Sequence, residues 1–325
     1  GAEATDTYTC KGDPNGEMYE PRFTQHGFRF AEVTADASYE IQALEMHTDV
    51  TQHSTQMHAN DLLNKIQNAV LWGQKSNLMS VRGVYLFFSF THSRSPTLET
   101  QVPTDCPQRD ERRGWSGDAA LTSEEASINF GMGAFYTAYL NQIQDDQQSD
   151  GAVTNFVPAL GTGDGAPNWQ SVYPSIVYAL TMYFGDVQPV HDHLDSLRAY
   201  VVVFLFIFSF LLSNTSTHRY YKYLETGYNT TGMKTFRSGF GDWVPPPPVA
   251  KADGHFLGAF AFLNDLKMGV EFFTAAGYED DAKHLQALYE TSSSDFHNTF
   301  FNGTKYMSGL QTEQALPLYL DLVPS

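Results

Sequence analysis

The chain has 325 residues, of which 42% are apolar, including 24 Phe and 18 Tyr, and 19 Lys and Arg stand against 37 Asp and Glu for a formal charge of −18 at pH 7. That apolar content fills a sizeable core and excludes a disordered chain, while the length calls for two domains or one large architecture. The charge works against nucleic acid and anionic membranes as partners, and two cysteines, Cys10 and Cys106, with no CxxC pair or zinc-spaced Cys/His cluster, indicate neither a disulfide framework nor a metal site.

Between Met18 and Val50, apolar residues fall at Phe28 and Phe30, then at Tyr39, Ile41 and Ala43. That is the period-two pattern of strands. In "NDLLNKIQNAVLW" the rhythm changes, with Leu62, Ile66 and Val70 four apart as on one helix face, which places a boundary near residue 55. Further helices are predicted over 119–143, 172–184, 187–200, 256–275 and 278–300. Gly185 in "YFGD" and Gly277 in "AAGYEDDA" stand where helices end, because glycine takes the left-handed cap conformation cheaply, and the acids that follow suit the next helix start. Helix pairs joined by short turns imply a bundle, a solenoid or a toroid of hairpins, and periodicity does not choose among them.

Two segments break the pattern. Residues 82–102 and 201–219, the latter containing "VVVFLFIFSFLL", are rich in Phe, Leu, Val and Ser and nearly free of acid. The apolar run Val201–Leu212 is too short for the roughly 20 residues of a membrane helix. Codons with T in the second position encode Phe, Leu, Ile, Met and Val, so translated T-rich non-coding sequence gives such runs. Retained introns or insertions on the exterior of the fold both account for them, and either way they are expected outside the helical scaffold.

The stretch "PTDCPQRDERRGWSGDA", Pro103–Ala119, gathers Asp105, Asp110, Glu111 and Asp118 with Arg109, Arg112, Arg113 and Trp115. A sugar cleft needs these types: carboxylates and arginine for hydroxyls, an aromatic face for C–H surfaces, and a proton donor for the leaving oxygen. The stretch resembles the signature of the α-L-rhamnosidases of glycoside hydrolase family 78, which usually carry leucine where Arg113 stands. "FTQHGFRFAEV", "LWGQKSN", "GFGDWVPP" and "QTEQALPLYLDLVPS" resemble further segments of that family in the same order.

The resemblance implies a mainly α fold, an incomplete (α/α)6 barrel over 56–325 preceded by the C-terminal part of a β-sandwich domain over 1–55. It implies inverting hydrolysis of terminal α-L-rhamnosides, a rhamnose-containing glycoside or polysaccharide as partner, and no cofactor. Glu111 matches the general acid, and Asp105, Arg109, Trp115 and Asp118 match sugar-binding positions. Trp169 in "GAPNWQSVYP" and Trp243 are expected to line the pocket, and Asp242 either binds sugar or fixes its loop. Either Asp110 and Asp118 repel the charged form of Glu111, which suits an acid that must stay protonated near neutral pH, or Asp110 and Glu111 pair with Arg112 and Arg113 on an exposed turn. The second carboxylate of an inverting enzyme, roughly 6.5–9.5 Å from the first, belongs to the last part of the family's barrel. About seven barrel helices are readable against roughly twelve in the family's toroid, so the chain reads as a fragment, inactive by itself, with an open ring. Secretion or a vacuole suits its acidic surface, although "GAEATDTYTC" carries no signal-peptide pattern. "HDHLD", His191–Asp195, has a metal-like look, but its histidines fall on different helix faces and read as solvent-exposed.

Overall fold

The computed structural model describes residues 4–21, 25–55, 57–82, 99–103, 113–148, 151–159, 165–199, 225, 227–229, 232–242, 245 and 247–322. Helix α1, Asp61–Asn77, starts where the Asn60 side chain accepts from the Leu62 amide and carries Lys75 in its last turn, each complementing the helix ends. Its apolar face is real but stays exposed at Leu62, Ile66 and Val70, and α1 is tied down by amide contacts of Gln67 and Gln74 with Asn129.

The period-two region before it is extended but unpaired. Among the described residues of 4–55 the only ladder contact is the isolated bridge Gln52–Phe130, and Phe28, Phe30, Tyr39 and Ile41 all face solvent. Alternation supplies a strand's face, but a strand also needs a neighbouring backbone, and no described segment runs alongside.

Strands β1, Leu78–Arg82, and β2, Glu99–Pro103, pair antiparallel in a register running from Leu78↔Pro103 to Arg82↔Glu99. The edges of the 82–102 segment therefore belong to a hairpin whose two ends meet, and residues 83–98 lie outside the described residues. The 201–219 segment lies outside them too. Its flanks are fixed on one face of a later helix, α9 (Glu279–Phe300): Arg198 makes a bidentate pair with Asp281 at 2.7 and 3.1 Å, and Glu225 approaches His284 at 3.4 Å, one turn further along.

The helix expected over 119–143 is two helices, α2 (Ser116–Asn129) and α3 (Gly133–Asp146). The break comes from a distant segment: residues 51–53 cross here, with the His53 amide bonded to the Asn129 carbonyl and the Gly131 amide to the Thr51 carbonyl. A Cβ on Gly131 would lie 3.0 Å from the His53 ring, and Phe130 turns extended with its ring fully buried. The short helix α4, Pro167–Gln170, leads into α5, Val172–Phe184, which ends at Gly185 with φ +65° as its sequence predicts.

The 187–200 helix is interrupted at His193, giving α6 (Gln188–Asp192) and α7 (Leu194–Ala199). This corrects the reading of "HDHLD": His191 is exposed and meets the Tyr278 hydroxyl at 2.8 Å, whereas His193 turns inward, buried, with Nδ1 3.0 Å from the Tyr173 hydroxyl. Burial also pushes the His193 pKa down, against the nearby charge of Asp192.

Helix α8, Gly254–Ala275, is capped by Asp253, which accepts from the amides of His255 and Phe256. Helix α9 follows after Gly277, and α10 spans Gln311–Tyr319. Helices α2, α5, α8 and α10 pack side by side in succession, while α3 lies on α5 and α9 on α8. The core between these two layers is aromatic, built on Tyr136, Tyr139, Tyr173, Phe256, Phe262 and Phe272 among others. No described helix is long and apolar enough to cross a membrane.

Because Arg82 and Glu99 face each other across the hairpin, a two-residue Asn-Gly turn can join them. Replacing 83–98 by Asn-Gly is expected to leave the helical circular dichroism unchanged and to move Tm by less than about 4 °C, the size of a ~1 kcal/mol change in a chain of this size. Loss of the cooperative transition in that variant would place 83–98 within the scaffold.

Candidate active site

The N-termini of alternate helices converge. Trp115 is the residue before α2, extended at φ −60° and ψ 115°, and it bridges antiparallel to Phe156 with ring centroids 4.2 Å apart. The pairing is continued by the Val157 amide on the Gly114 carbonyl at 2.8 Å and the Ser116 amide on the Asn155 carbonyl at 3.0 Å. The Ser116 hydroxyl adds a bond to the Thr154 carbonyl.

Residues 153–157 are held on their other side by the turn that leads into α4. The Gly165 amide bonds to the Val153 carbonyl, and the Ala166 amide to the Asn155 side chain at 2.8 Å. Gln170, fully buried, accepts from the Val153 amide and donates to the Gly165 carbonyl, so one side chain fixes both strands of the contact.

This brings Trp169 onto α2. A Cβ on Gly117 would stand 2.5 Å from the Trp169 indole, so the ring lies flat against the helix at the one residue that leaves room for it. Phe240 meets the same indole edge-on at 4.8 Å. The loop carrying Phe240 is in turn locked to the start of α8 by the Gly239 amide on the Gly254 carbonyl, and the Asn168 side-chain oxygen lies 2.6 Å from where a Gly239 Cβ would be. Asp242 accepts from the Thr312 hydroxyl at 2.9 Å at the start of α10. Of its two expected roles, fixing the loop is the one with a partner in the structure.

The described residues thus bring together Trp115, Asp118, Trp169 and Asp242 around four helix starts. Asp105, Arg109, Glu111 and Trp243 lie outside the described residues. Asp118 sits in the first turn of α2, where the helix dipole favours its charge. Beneath it Tyr139 is fully buried, its pKa raised by burial and then by the charges of Asp146 and Asp118. Burial also pushes the Asp146 carboxyl up to about 6, against the bond it accepts from the Ala159 amide at 2.6 Å. On α8, burial raises the fully buried Asp265 carboxyl well above its usual range, a shift opposed by a hydrogen bond from Ser171.

Sequence reasoning missed Gln170, Asp146 and Asp265, since polar residues inside helical patterns carry no sign of what they touch. It also missed Glu313, a buried carboxylate that accepts from the Gly309 and Leu310 amides and the Ser308 hydroxyl to cap α10. The acid three residues into the helix was its signal.

Comparison with known proteins agrees with this geometry. The family described as the bacterial alpha-L-rhamnosidase 6 hairpin glycosidase domain matches residues 93–205 and 213–325, and the bacterial alpha-L-rhamnosidase concanavalin-like domain matches residues 1–53. An alpha-L-rhamnosidase of Streptomyces avermitilis is 31% identical over 99% of the chain, and one of an Alteromonas species 28% identical over 99%. The chain spans only 27% and 32% of their lengths. Among solved structures, the alpha-L-rhamnosidase from Dictyoglumus thermophilum superposes with a TM-score of 0.68 at 32% identity, covering 86% of this chain and 27% of that one. A Streptomyces avermitilis alpha-L-rhamnosidase complexed with L-rhamnose gives a TM-score of 0.67 at 25% identity, covering 86% and 23%. Mostly helical hairpins in two layers are thus an incomplete α/α barrel, as expected.

Two outcomes follow from the packing and the buried acids. Gly117→Ala gains up to about 1 kcal/mol of helix propensity, but the rigid indole at 2.5 Å turns the sign. The variant is expected to lose about 1–3 kcal/mol in urea denaturation and to shift tryptophan emission. Asp146, whose folded pKa of about 6 exceeds its unfolded value, makes the native state bind more protons between pH 4 and 6. Its contribution is full below the unfolded pKa and is lost as pH rises through the folded one, on the order of 2–3 kcal/mol in all. Asp146→Asn should flatten that slope, and an unchanged slope would assign it to another group.

Proposed function

Because the chain belongs to the bacterial α-L-rhamnosidase six-hairpin glycosidase family, we propose that it supplies the acid half of an inverting hydrolase that releases terminal α-L-rhamnose from a glycoside or polysaccharide. Residues 56–325 are then the N-terminal part of the catalytic barrel and 1–55 the end of a β-sandwich domain, with 82–102 and 201–219 as insertions. The observation that carries the reading is the seating of Trp169 against Gly117, which puts two indoles beside the helix start that follows Glu111 directly in the chain.

In this reading Trp115, Trp169 and Trp243 offer their faces to the apolar side of rhamnose and its methyl group, and Asp105, Arg109 and Asp118 take hydroxyls. Asp242 orders the loop that carries Trp243. Glu111 gives its proton to the departing glycosidic oxygen as the C–O bond breaks, and the negative charges of Asp110 and Asp118 hold that proton on it near neutral pH. Water attacks from the opposite face, activated by a second carboxylate from the remainder of the barrel. A second reading, a rhamnoside-binding chain without turnover, rests on the chain's spanning only 27% and 32% of the lengths of the rhamnosidases it matches.

Aryl α-L-rhamnoside hydrolysis and calorimetric binding separate the two. The 325-residue chain is expected to bind and not to turn over, whereas the chain extended to its relatives' length turns over. In that longer protein Glu111→Gln is expected to lower kcat by about 10²–10⁴ with binding kept. Full activity in the Glu111→Gln protein would remove Glu111 from the role, and turnover by the short chain would place the base within it.

A further inference from the structure

Arg113 stands at an unusual place. It is exposed, and its guanidinium lies over the Phe156 ring at 4.9 Å from the centroid. Phe156 contacts Trp115 on its other flank, and residues 113 and 115 alternate with the buried Gly114 and Ser116, so Arg113, Trp115 and Phe156 share the solvent-facing side of the bridge. In a chain with 37 acids against 19 bases, this arginine has no carboxylate partner among the described residues. A guanidinium held over an aromatic ring is attracted to the ring face and loses less freedom than an unsupported one when a planar anion arrives.

We propose that Arg113 determines specificity at the rim of the site, taking the carboxylate of a uronic acid to which the rhamnose is attached. The proposal rests on the rhamnoside reading above. One aromatic ring separates the guanidinium from the Trp115 indole, within the span of two linked sugars, so a glycoside seated at Trp115 and extending along the Phe156 side puts its neighbouring unit beside Arg113. The fork of N–H groups matches a carboxylate in two parallel bonds, which a neutral sugar does not offer. The overall charge of −18 opposes an anionic ligand at long range, but salt screens that repulsion beyond about 8 Å, leaving the contact with Arg113 to decide.

The test is calorimetric binding of two disaccharides of the same linkage, α-L-rhamnosyl glucuronate and α-L-rhamnosyl glucose, to the 325-residue chain and its Arg113→Gln variant. The exposed position of Arg113 leaves the core of the variant intact. The unaltered chain is expected to bind the glucuronate about three- to fivefold tighter than the glucose compound, the preference shrinking in 0.5 M salt, and Arg113→Gln to abolish it without changing glucose-compound affinity. Equal affinities in the unaltered chain overturn the proposal while leaving the rhamnoside reading intact. A preference that survives in Arg113→Gln overturns it too, because the cation then lies elsewhere, and failure of both ligands to bind overturns it together with the reading it rests on.

Discussion

The backbone of residues 153–157 is gripped from two sides, and that grip sets the rest of the site. On one side it pairs with Gly114–Ser116, and on the other with Gly165, Ala166 and the side chain of Gln170. Gly114, Ser116, Val153, Gly165 and Gln170 are buried, so leaving one of their polar groups unpaired costs roughly 1–3 kcal/mol, and the bonds hold as a set. The consequence is geometric: the turn before α2 and the turn before α5 keep fixed positions relative to each other, and with them Trp115 and Trp169. An apolar platform at a cluster of helix starts then follows from hydrogen bonding, with side-chain packing finishing it at Gly117.

Charge is organised around the same frame. Asp118 lies at a helix start that stabilises it, whereas Asp146 and Asp265 are buried where the charged form is disfavoured. The acid at the helix start and the two buried acids are thus held in opposite environments, one favouring the charge and the others disfavouring it. Arg113, lying over Phe156, adds the opposite sign on the exposed side of the Trp115–Phe156 bridge.

Much of the scaffold was legible in the sequence because its signals are local. The four-residue spacing at Leu62, Ile66 and Val70, the glycine at 185 and the acids after Gly277 each depend on neighbours within a turn or two, and α1, α5, α8 and α9 appear within a few residues of their expected limits. The break at Asn129–Gly133 has a local signal in Gly131 and Gly133, but its partner does not, since residues 51–53, far away in the chain, bond the Asn129 carbonyl and the Gly131 amide there. The alternation at Phe28 and Phe30 reports a face without reporting whether a partner strand exists. Within the site, the motif pointed to Trp115 and Asp118, yet the reason for the glycine in "GWSGDA" is the indole of Trp169, a contact no spacing rule contains.

The central claim is that a rhamnosyl ring is held by the indoles at the starts of α2 and α5 with the Glu111 carboxyl at its anomeric oxygen. A crystal structure of the chain with methyl α-L-rhamnoside, whose anomeric oxygen is the leaving oxygen, is the decisive measurement. The account predicts the sugar within van der Waals contact of Trp115 and Trp169, with a Glu111 carboxyl oxygen within hydrogen-bonding distance, about 2.5–3.0 Å, of the anomeric oxygen. The rhamnoside bound elsewhere, or Glu111 turned out to bulk water with the sugar in place, contradicts it.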